Sequence, residues 1–409
     1  MIARMMFSLG ERARAIKKSI DSTCKKFANR ARKVKKLSLN NKDNKHTKVI
    51  EMVRVIGVDP GTGSWDVLGL DDGDGEDVFL DISIPSRKIL ENPDLLLSVI
   101  QRNQPVDMVT APSGHGIPLQ MLEDTTGEEI YTANLRRKKD PAVMGIAKVL
   151  FSMKNAGIKA CTIPGVKQLS TVKKQYKYNK IDMGTADKVC SVAAAIVDQA
   201  RTRDIRFEET SFILVEVGFG FNATIAVEKG KIIDGIGGSC GGMGFRACGC
   251  LDSEIAYLLN HISKKVIYSG GLVDIVGFND LSPKELFLMS EKDEDIAVAV
   301  DGFFHDLIKD IMGLVPSFQV PTSALEVILS GREPEQIRNR LESKVHDLLS
   351  IPTRIINSRA RISKTATQGA AYIANAVAGG KYKDLLKVMR LRESNHGLLS
   401  QIHVGPLTF

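Results

Sequence analysis

The sequence has no apolar run long enough to cross a bilayer. Its apolar segments are all interrupted well short of the roughly 20 residues that a transmembrane helix needs. The apolar piece at residues 5–9 is too short for the core of a secretory signal. The histidines are scattered, and no His-Glu-x-x-His pair of the kind that binds zinc occurs. We therefore expect a cytoplasmic globular protein, and we disfavour a metal hydrolase.

Cysteine is scarce and scattered, with six residues in 409. Without a secretory signal, these are expected to be reduced thiols. Cys248 and Cys250, with Cys240 nearby, could hold a soft metal, but no second pair at zinc spacing follows. Small residues in a crowded glycine loop are the alternative that this pattern favours.

The excess of positive over negative charge is confined to one end of the chain. The formal net charge is +8, yet residues 1–50 contain 15 Lys and Arg against 3 Asp and Glu, which leaves the remainder slightly acidic. Nucleic-acid binding by the folded body therefore loses its main support. We interpret residues 1–51 as a basic tail, either disordered or the product of an over-extended start. The alternative is a basic arm that touches RNA or an anionic membrane.

The stretch at residues 53–70 predicts a β-hairpin that binds phosphate. An apolar run ends in Asp59, a turn with Gly61, Thr62 and Gly63 follows, and a second apolar run returns. Glycines let the backbone approach an anion closely and offer it N–H groups. Asp59 would orient a hydrated Mg²⁺ beside that anion.

A second hairpin with the same features is predicted at residues 212–234. An apolar run meets Glu216, then Gly218 and Gly220, and further strands return. Two hairpins of this kind can face each other across a cleft and grip one polyphosphate from both sides.

Two further segments supply candidate side chains. A Ser-Gly-His-Gly loop follows the predicted strand at 106–110, which makes Ser113 and His115 candidates for the substrate site; a simple turn is the alternative. Asp187 lies in the first turn of a predicted helix. It either caps that helix or points into the cleft, where Asp187 or Asp182 could act as a base.

The order of elements repeats. Three strands, a helix, a strand, a helix, a strand and a helix occur once before residue 205 and again after it, without sequence identity between the halves. The second copy ends in an alanine-rich helix at 365–378. This order predicts two α/β units with a central cleft.

These motifs resemble those of the superfamily that holds acetate and sugar kinases, heat-shock chaperone ATPases and actin. The two hairpins are similar to its two phosphate motifs, with Asn222 closing the second, and the segment ending in Gly331 and Arg332 is similar to its adenosine motif. The resemblance implies two ribonuclease-H-like (actin-like ATPase) domains with a nucleotide cleft between them. We place these domains at 52–205 and 206–380, followed by a C-terminal extension at 381–409.

Four segments, VRVIGVDPGTGSWD, PSGHG, IDMGTADKV and ILSGR, resemble an archaeal family labelled as predicted butyrate kinase. The similarity covers most of residues 52–380. It implies an ATP-dependent kinase that uses Mg²⁺ and phosphorylates a small carboxylic acid to an acyl phosphate.

The chain departs from the superfamily pattern in two places, at Glu216 and at Gly331. Glu216 stands where Asp or His is usual, although its carboxylate can still hold Mg²⁺ through water. Gly331 stands alone where paired glycines are common, and Arg332 beside it could stack on adenine, clamp phosphate or cap a helix. Arg246 falls roughly where the acid kinases carry an arginine, which implies that it neutralises transition-state charge.

The expected partners are a nucleotide and a small-molecule acceptor. A homodimer is left open, and nucleic acid is expected to bind only through the basic tail. The alternative function is an ATP-binding switch that hydrolyses slowly and acts on a protein partner. Acceptor-dependent ADP release would favour the kinase, whereas partner-dependent turnover without a phosphorylated product would favour the switch. A third reading, an RNA-binding protein with a basic arm, predicts salt-sensitive binding that needs residues 1–51.

Overall fold

The computed structural model describes residues 52–73, 76–135, 137, 145–278, 280–331, 334–395, 397–405 and 407. The predicted basic tail at 1–51 and Arg332 lie outside the described residues, so the predictions for them are not tested. Residues 52–409 form one compact unit by their contacts.

A tight hairpin begins the first of two five-stranded sheets. Its strands are β1 (Arg54–Pro60), β2 (Ser64–Asp71), β3 (Asp77–Pro85), β4 (Met108–Thr110) and β5 (Ala160–Cys161). They lie in the order β3-β2-β1-β4-β5. The first three strands are antiparallel, whereas β4 and β5 run parallel to β1. Since β1 is paired on both sides, its apolar residues are buried, as the uninterrupted apolar run predicts.

The second sheet has the same topology. Its strands are β6 (Phe212–Val217), β7 (Asn222–Glu228), β8 (Lys231–Ile236), β9 (Val327–Gly331) and β10 (Thr353–Ile355). Their order is β10-β9-β6-β7-β8, with antiparallel pairs at β6-β7 and β7-β8 and parallel pairs at β6-β9 and β9-β10. The predicted repetition of element order, and with it the α/β fold, is confirmed.

Helices cover both faces of these sheets. Their bounds are α1 (Ser86–Glu91), α2 (Asp94–Arg102), α3 (Gly127–Ala133), α4 (Ile146–Asn155), α5 (Ala186–Arg203), α6 (Ser253–Leu258), α7 (Lys264–Ile267), α8 (Leu272–Ile275), α9 (Pro283–Met289), α10 (Glu294–Leu314), α11 (Pro334–Leu349), α12 (Thr365–Val377) and α13 (Asp384–Val388). One apolar cluster fills the space under α1, α2 and α4, and another lies under α10 and α11. A third cluster joins α5, α12 and residues of both sheets.

Helices α5 and α12 pack against each other where the two halves of the chain meet. Gly369 makes this possible, since a Cβ there would lie 2.5 Å from the carbonyl carbon of Cys190. Gly57 in β1 allows α12 an equally close approach, because its Cβ would lie 2.5 Å from the Ala371 nitrogen. Helix α12 therefore returns to the first sheet after the second sheet is complete, while the proposed boundaries at 205 and 380 remain predictions.

Most differences from the predicted elements are at their ends. The apolar stretch at 158–163 predicts a strand over its whole length, but β5 is shorter, because the chain leaves the sheet after Cys161 and the Thr162 hydroxyl donates to the Pro118 carbonyl oxygen, at 2.6 Å. The sequence also predicts a helix at 141–155, which the structure describes from Ile146 onward as α4. The short helix α3, which a capping box of Thr126 and Glu129 starts, was not predicted.

Candidate nucleotide site

The turns of the two hairpins have the same backbone geometry. The Gly61 N–H donates to the Ser64 carbonyl oxygen and the Gly218 N–H to that of Phe221, both at 2.9 Å. Within the described part of the chain, the N–H groups of Thr62, Gly63 and Gly220 donate to no backbone carbonyl. These donors are therefore available to an anion, and glycine keeps side chains out of its way.

Both turns line one cavity of about 1230 Å³. This is larger than the roughly 300–1,000 Å³ typical of a pocket for one small ligand, so there is room for two. The predicted site residues that line it are Asp59, Gly61, Thr62, Gly63, Ser113, His115, Asp187, Glu216, Gly218, Gly220, Asn222 and Gly331. The fold thus brings together segments that are separated by about 270 residues of sequence.

Asp59 lies near the end of β1, on the floor of the cavity. Its Oδ2 forms an ion pair with Lys364 Nζ, whereas its Oδ1 is buried and has no hydrogen-bond partner among the described residues. Burial raises the pKa of Asp59 to about 6. A buried oxygen without a donor is unfavourable unless a ligand satisfies it.

Lys364 was not predicted as a site residue. It is the N-cap of α12, where Ser, Thr, Asp or Asn is usual and where the helix dipole disfavours a positive charge. Its backbone N–H donates to Asp66 Oδ2 at 3.0 Å, and its Nζ lies 3.7 Å from the same oxygen. A lysine at the start of an alanine-rich helix was the one sequence signal that could have identified it.

Glu216 occupies in β6 the position that Asp59 occupies in β1, two residues before the turn glycine. Its two oxygens accept from Lys188 Nζ, at 2.5 Å, and from the Ser191 hydroxyl. Lys188 also pairs with Asp187 Oδ2 at 2.7 Å. Both carboxylates are thereby compensated by one largely buried lysine, which the sequence did not single out.

Asp187 is held in its ionised form. Burial opposes ionisation, but Lys188 and the Thr185 hydroxyl together hold the pKa of Asp187 below its usual value. Each of its oxygens has a donor, since Thr185 Oγ1 donates to Oδ1 and Lys188 to Oδ2. Asp182, the other candidate base, accepts backbone N–H bonds from Gly184 at 3.1 Å and Ser239 at 3.0 Å.

Ser113 and His115 play different parts in the loop after β4. The Ser113 hydroxyl donates to the Ala111 carbonyl oxygen and accepts from the Ile163 N–H, both at 2.9 Å, so it holds the loop in place. The His115 ring lies with Nδ1 3.2 Å from the Ala133 carbonyl oxygen. Burial lowers the pKa of His115, although Asp182 opposes this. The ring is therefore neutral near pH 7, with Nδ1 as the donor.

The remaining predicted residues support the second turn. Asn222 donates through Nδ2 to the Met243 carbonyl oxygen at 2.9 Å. The guanidinium of Arg246 lies 4.5 Å from the ring centre of Phe219, which lines the cavity, and its backbone N–H donates to the Gly220 carbonyl oxygen. Gly331 has φ +101°, and a Cβ there would lie 2.8 Å from the Val217 carbonyl carbon, so glycine is also required by the pairing of β6 and β9.

The described residues hold no cluster of three or more His, Cys, Asp or Glu that could bind a metal by itself. Cys240, Cys248 and Cys250 are free thiols around the glycine loop.

In the part of the chain that the structure covers, no helix is both long and apolar enough to cross a membrane.

Comparison with solved structures identifies the fold. A propionate kinase from Francisella tularensis subsp. tularensis SCHU S4 matches 78% of this chain and 98% of its own length, at 16% identity and a TM-score of 0.54. An acetate kinase from Porphyromonas gingivalis matches 80% and 99%, at 13% identity and a TM-score of 0.52. An acetate kinase from Entamoeba histolytica matches 72% and 87%, at 15% identity and a TM-score of 0.50. At these identities the likeness shows the two-domain, actin-like ATPase fold alone, and the predicted fold class is confirmed.

At the level of sequence, no curated protein matches the chain significantly. One family model does, and it matches residues 57–404, which include the second sheet, all of the first sheet except the start of β1, and every candidate residue of the cavity. The chain therefore belongs to the family described as "Protein of unknown function (DUF1464)".

Proposed function

We propose that this protein is an ATP-dependent phosphotransferase. The observation that carries the proposal is that the two acid-and-glycine turns, at residues 59–63 and 216–220, line one cavity with their N–H groups available. Phosphoryl transfer needs positioning and electrostatic stabilisation more than covalent participation, and these turns offer both. The fold shared with acetate and propionate kinases supports the same class.

Asp59 fits the divalent cation that such a reaction uses. Its unpartnered, buried Oδ1 lies beside the first turn and accepts no bond from the described protein. Glu216 fits less well, because Lys188 and Ser191 occupy both of its oxygens. Mg²⁺, when bound, would neutralise charge on the phosphates, with one carboxylate and otherwise water and phosphate as ligands.

For the acceptor we propose a small carboxylic acid, in keeping with the butyrate kinase resemblance. An acceptor carboxylate attacks the terminal phosphorus with its own lone pair, the bond from that phosphorus to the bridging oxygen breaks, and ADP leaves. No proton has to be removed in this step. The state of Asp187 agrees, since a carboxylate whose pKa is lowered and whose oxygens both have donors is a poor base and serves to orient.

His115 is the better candidate of the two acceptor-side residues. The Ser113 hydroxyl is used within its loop, whereas the His115 ring uses Nδ1 alone and keeps Nε2 for another partner. An acceptor carboxylate near the ring would raise its pKa, and the protonated ring would then donate to that carboxylate through Nε2. Arg246 is proposed to position the second turn through Phe219.

Isothermal titration of ATP with Mg²⁺ into the full chain tests the nucleotide site. We expect micromolar binding in the wild type and much weaker binding in Asp59→Asn. Asp301→Asn, a substitution of an exposed residue on α10, is the matched control and should bind as the wild type does. Equal binding by all three proteins would remove Asp59 from the site.

The acceptor is tested by ADP release with short-chain carboxylic acids and with sugars, together with hydroxylamine trapping of acyl phosphate. Acid-dependent ADP release with a trapped hydroxamate supports the kinase. ATP binding with slow hydrolysis that no acid or sugar accelerates would instead support the ATP-binding switch that acts on a protein partner.

A further inference from the structure

Two lysines form ion pairs with the acids of the two turns, and each lysine pairs with the acid from the other half of the chain. Lys188, in the first turn of α5 in the first half of the chain, pairs with Glu216 of the second half. Lys364, at the start of α12 in the second half, pairs with Asp59 of the first half. Since α5 and α12 each follow the fifth strand of their sheet, the crossing reflects the repeat in the fold.

The two pairs differ in what they leave unsatisfied. Lys188 bridges two carboxylates, and Glu216 has a second donor in Ser191, so this pair is complete. The other pair is not, because Asp59 Oδ1 has no donor among the described residues. The Lys364 side chain is also more accessible than that of Lys188, with 28% against 12% exposed.

The ammonium of Lys364 lies in the first turn itself. Its Nζ is 2.6 Å from the position that a Cβ on Gly61 would take and 3.7 Å from Asp66 Oδ2. The ammonium thus lies beside Asp59 and within the first turn, where its charge opposes the binding of a second cation at Asp59. Asp66 does not depend on that ammonium alone, since the Ser83 hydroxyl donates to its Oδ1 at 2.6 Å.

Hydrogen bonds fix the backbone just before Lys364, whereas the Lys364 side chain has room to move. Asp81 in β3 accepts three backbone N–H bonds from the loop just before Lys364, from Arg361 at 2.7 Å, Ile362 at 3.0 Å and Ser363 at 2.8 Å. Lys364 also lines a second cavity of about 390 Å³ that adjoins the first. The backbone is therefore fixed while the ammonium has space on either side.

We propose that the ammonium of Lys364 is a resident cation of the Asp59 site. Lys364 keeps divalent cations off Asp59 until nucleotide is present, and its ammonium then moves to the terminal phosphate. A divalent cation that arrives alone must bind at Asp59 against the positive charge of this ammonium, and it brings no anion to offset that repulsion. A cation that arrives with nucleotide brings phosphate oxygens that both positive charges can share. The transfer to phosphate rests on the proposed function, whereas the exclusion of free cations does not.

The test is titration of the full chain with Mn²⁺ alone, with free Mn²⁺ followed by electron paramagnetic resonance. The wild type is expected to bind weakly, and Lys364→Met about 10- to 100-fold more tightly, because one opposing charge is removed. The double variant Lys364→Met/Asp59→Asn should bind weakly again. Lys148→Met, which removes a lysine that lines the same cavity from α4, is the matched control and should resemble the wild type.

Lys364→Arg is the control for a folding defect caused by substitution at this position. This variant keeps the positive charge, so it should bind Mn²⁺ as weakly as the wild type. Equal Mn²⁺ affinity in the wild type and Lys364→Met would overturn the proposal, as would tight binding that survives loss of Asp59. A second titration, with a non-hydrolysable ATP analogue and Mg²⁺, should show weaker binding by Lys364→Met. Nucleotide binding that Lys364→Met leaves unchanged would refute the transfer to phosphate, and no nucleotide binding by any variant would refute the proposed function.

Discussion

The crossing of α5 and α12 gives a sharp stability prediction at Gly369. A Cβ added there would lie 2.5 Å from the carbonyl carbon of Cys190, nearer still to its oxygen, and 3.2 Å from the Ala194 nitrogen. All of these are backbone atoms, so no side chain can rotate out of the way. Ordinary carbon contacts are about 3.5–4.0 Å, so the helices must separate by about 1 Å.

The magnitude of this effect follows from two opposing terms. Overpacking a well-filled contact costs about 1–3 kcal/mol, and a clash with backbone belongs at the upper end. Alanine in a helix offsets up to about 1 kcal/mol of this relative to glycine. Gly369→Ala is therefore expected to lower the free energy of unfolding by about 2 kcal/mol and the Tm by about 3 °C.

The assay is thermal and urea unfolding of the full chain, with Gly313→Ala as the matched control. Gly313 also lies in a helix, α10, but a Cβ there would meet only Ile236 Cδ1 at 3.6 Å, an ordinary contact. Gly313→Ala should therefore raise stability by up to about 1 kcal/mol. If Gly369→Ala proves as stable as Gly313→Ala, the inferred closeness of the helices is wrong.

Three further outcomes are expected. Burial raises the pKa of Asp59 to about 6, so Asp59 becomes protonated below that pH. The affinity for nucleotide with Mg²⁺ should therefore fall by up to about tenfold per pH unit below about 6. Calorimetry on both sides of that pH measures this fall, which Asp59→Asn should not show. Glu76→Gln should cost about 2–3 kcal/mol near pH 7, because buried Glu76 pairs with three cations. The pKa of Glu76 is lowered by Lys381, Tyr382 and Arg201 against the effect of burial. Urea unfolding should therefore show this difference shrink as pH falls below the ordinary pKa of a glutamate and vanish as pH passes through the lowered pKa of the folded state, whereas exposed Glu393→Gln should change little. Lys188→Met should destabilise the protein by about 3 kcal/mol, and Glu216→Gln should restore part of that in a double-mutant cycle; strict additivity would contradict the pairing.

The local elements could be predicted because each rests on a short-range pattern. The hairpins at β1-β2 and β6-β7 combine apolar runs with glycine turns, and the acid two residues before each turn glycine marks the same place in both. The repeated element order then restricts the fold, since a strand–helix–strand connection is right-handed and its strands are parallel. The short strand β5 shows where local pattern was not enough, because a contact between Thr162 and Pro118 takes the chain out of the sheet. Helix α3 differs, since its capping box of Thr126 and Glu129 is a local signal that the prediction missed.

The roles of the individual site residues could not be predicted from short-range sequence patterns. Asp59 and Glu216 have the same place in the sequence pattern, yet the structure leaves one oxygen of Asp59 unpaired and gives both oxygens of Glu216 donors. The difference comes from Lys188 and Lys364, each of which meets an acid from the other half of the chain. No short-range pattern carries a contact of this kind.

The sequence by itself determined the two turns, their acids and the repeat, because backbone conformation and strand pairing depend on neighbouring residues. Only the tertiary structure decided which charges meet. The packing of α5 on α12 at Gly369 brings the first turns of the two helices together, and with them Lys188 and Lys364, which both line the cavity. Coulomb energy depends on distances of a few ångströms between atoms that are far apart in sequence, and these distances exist only once the core has formed.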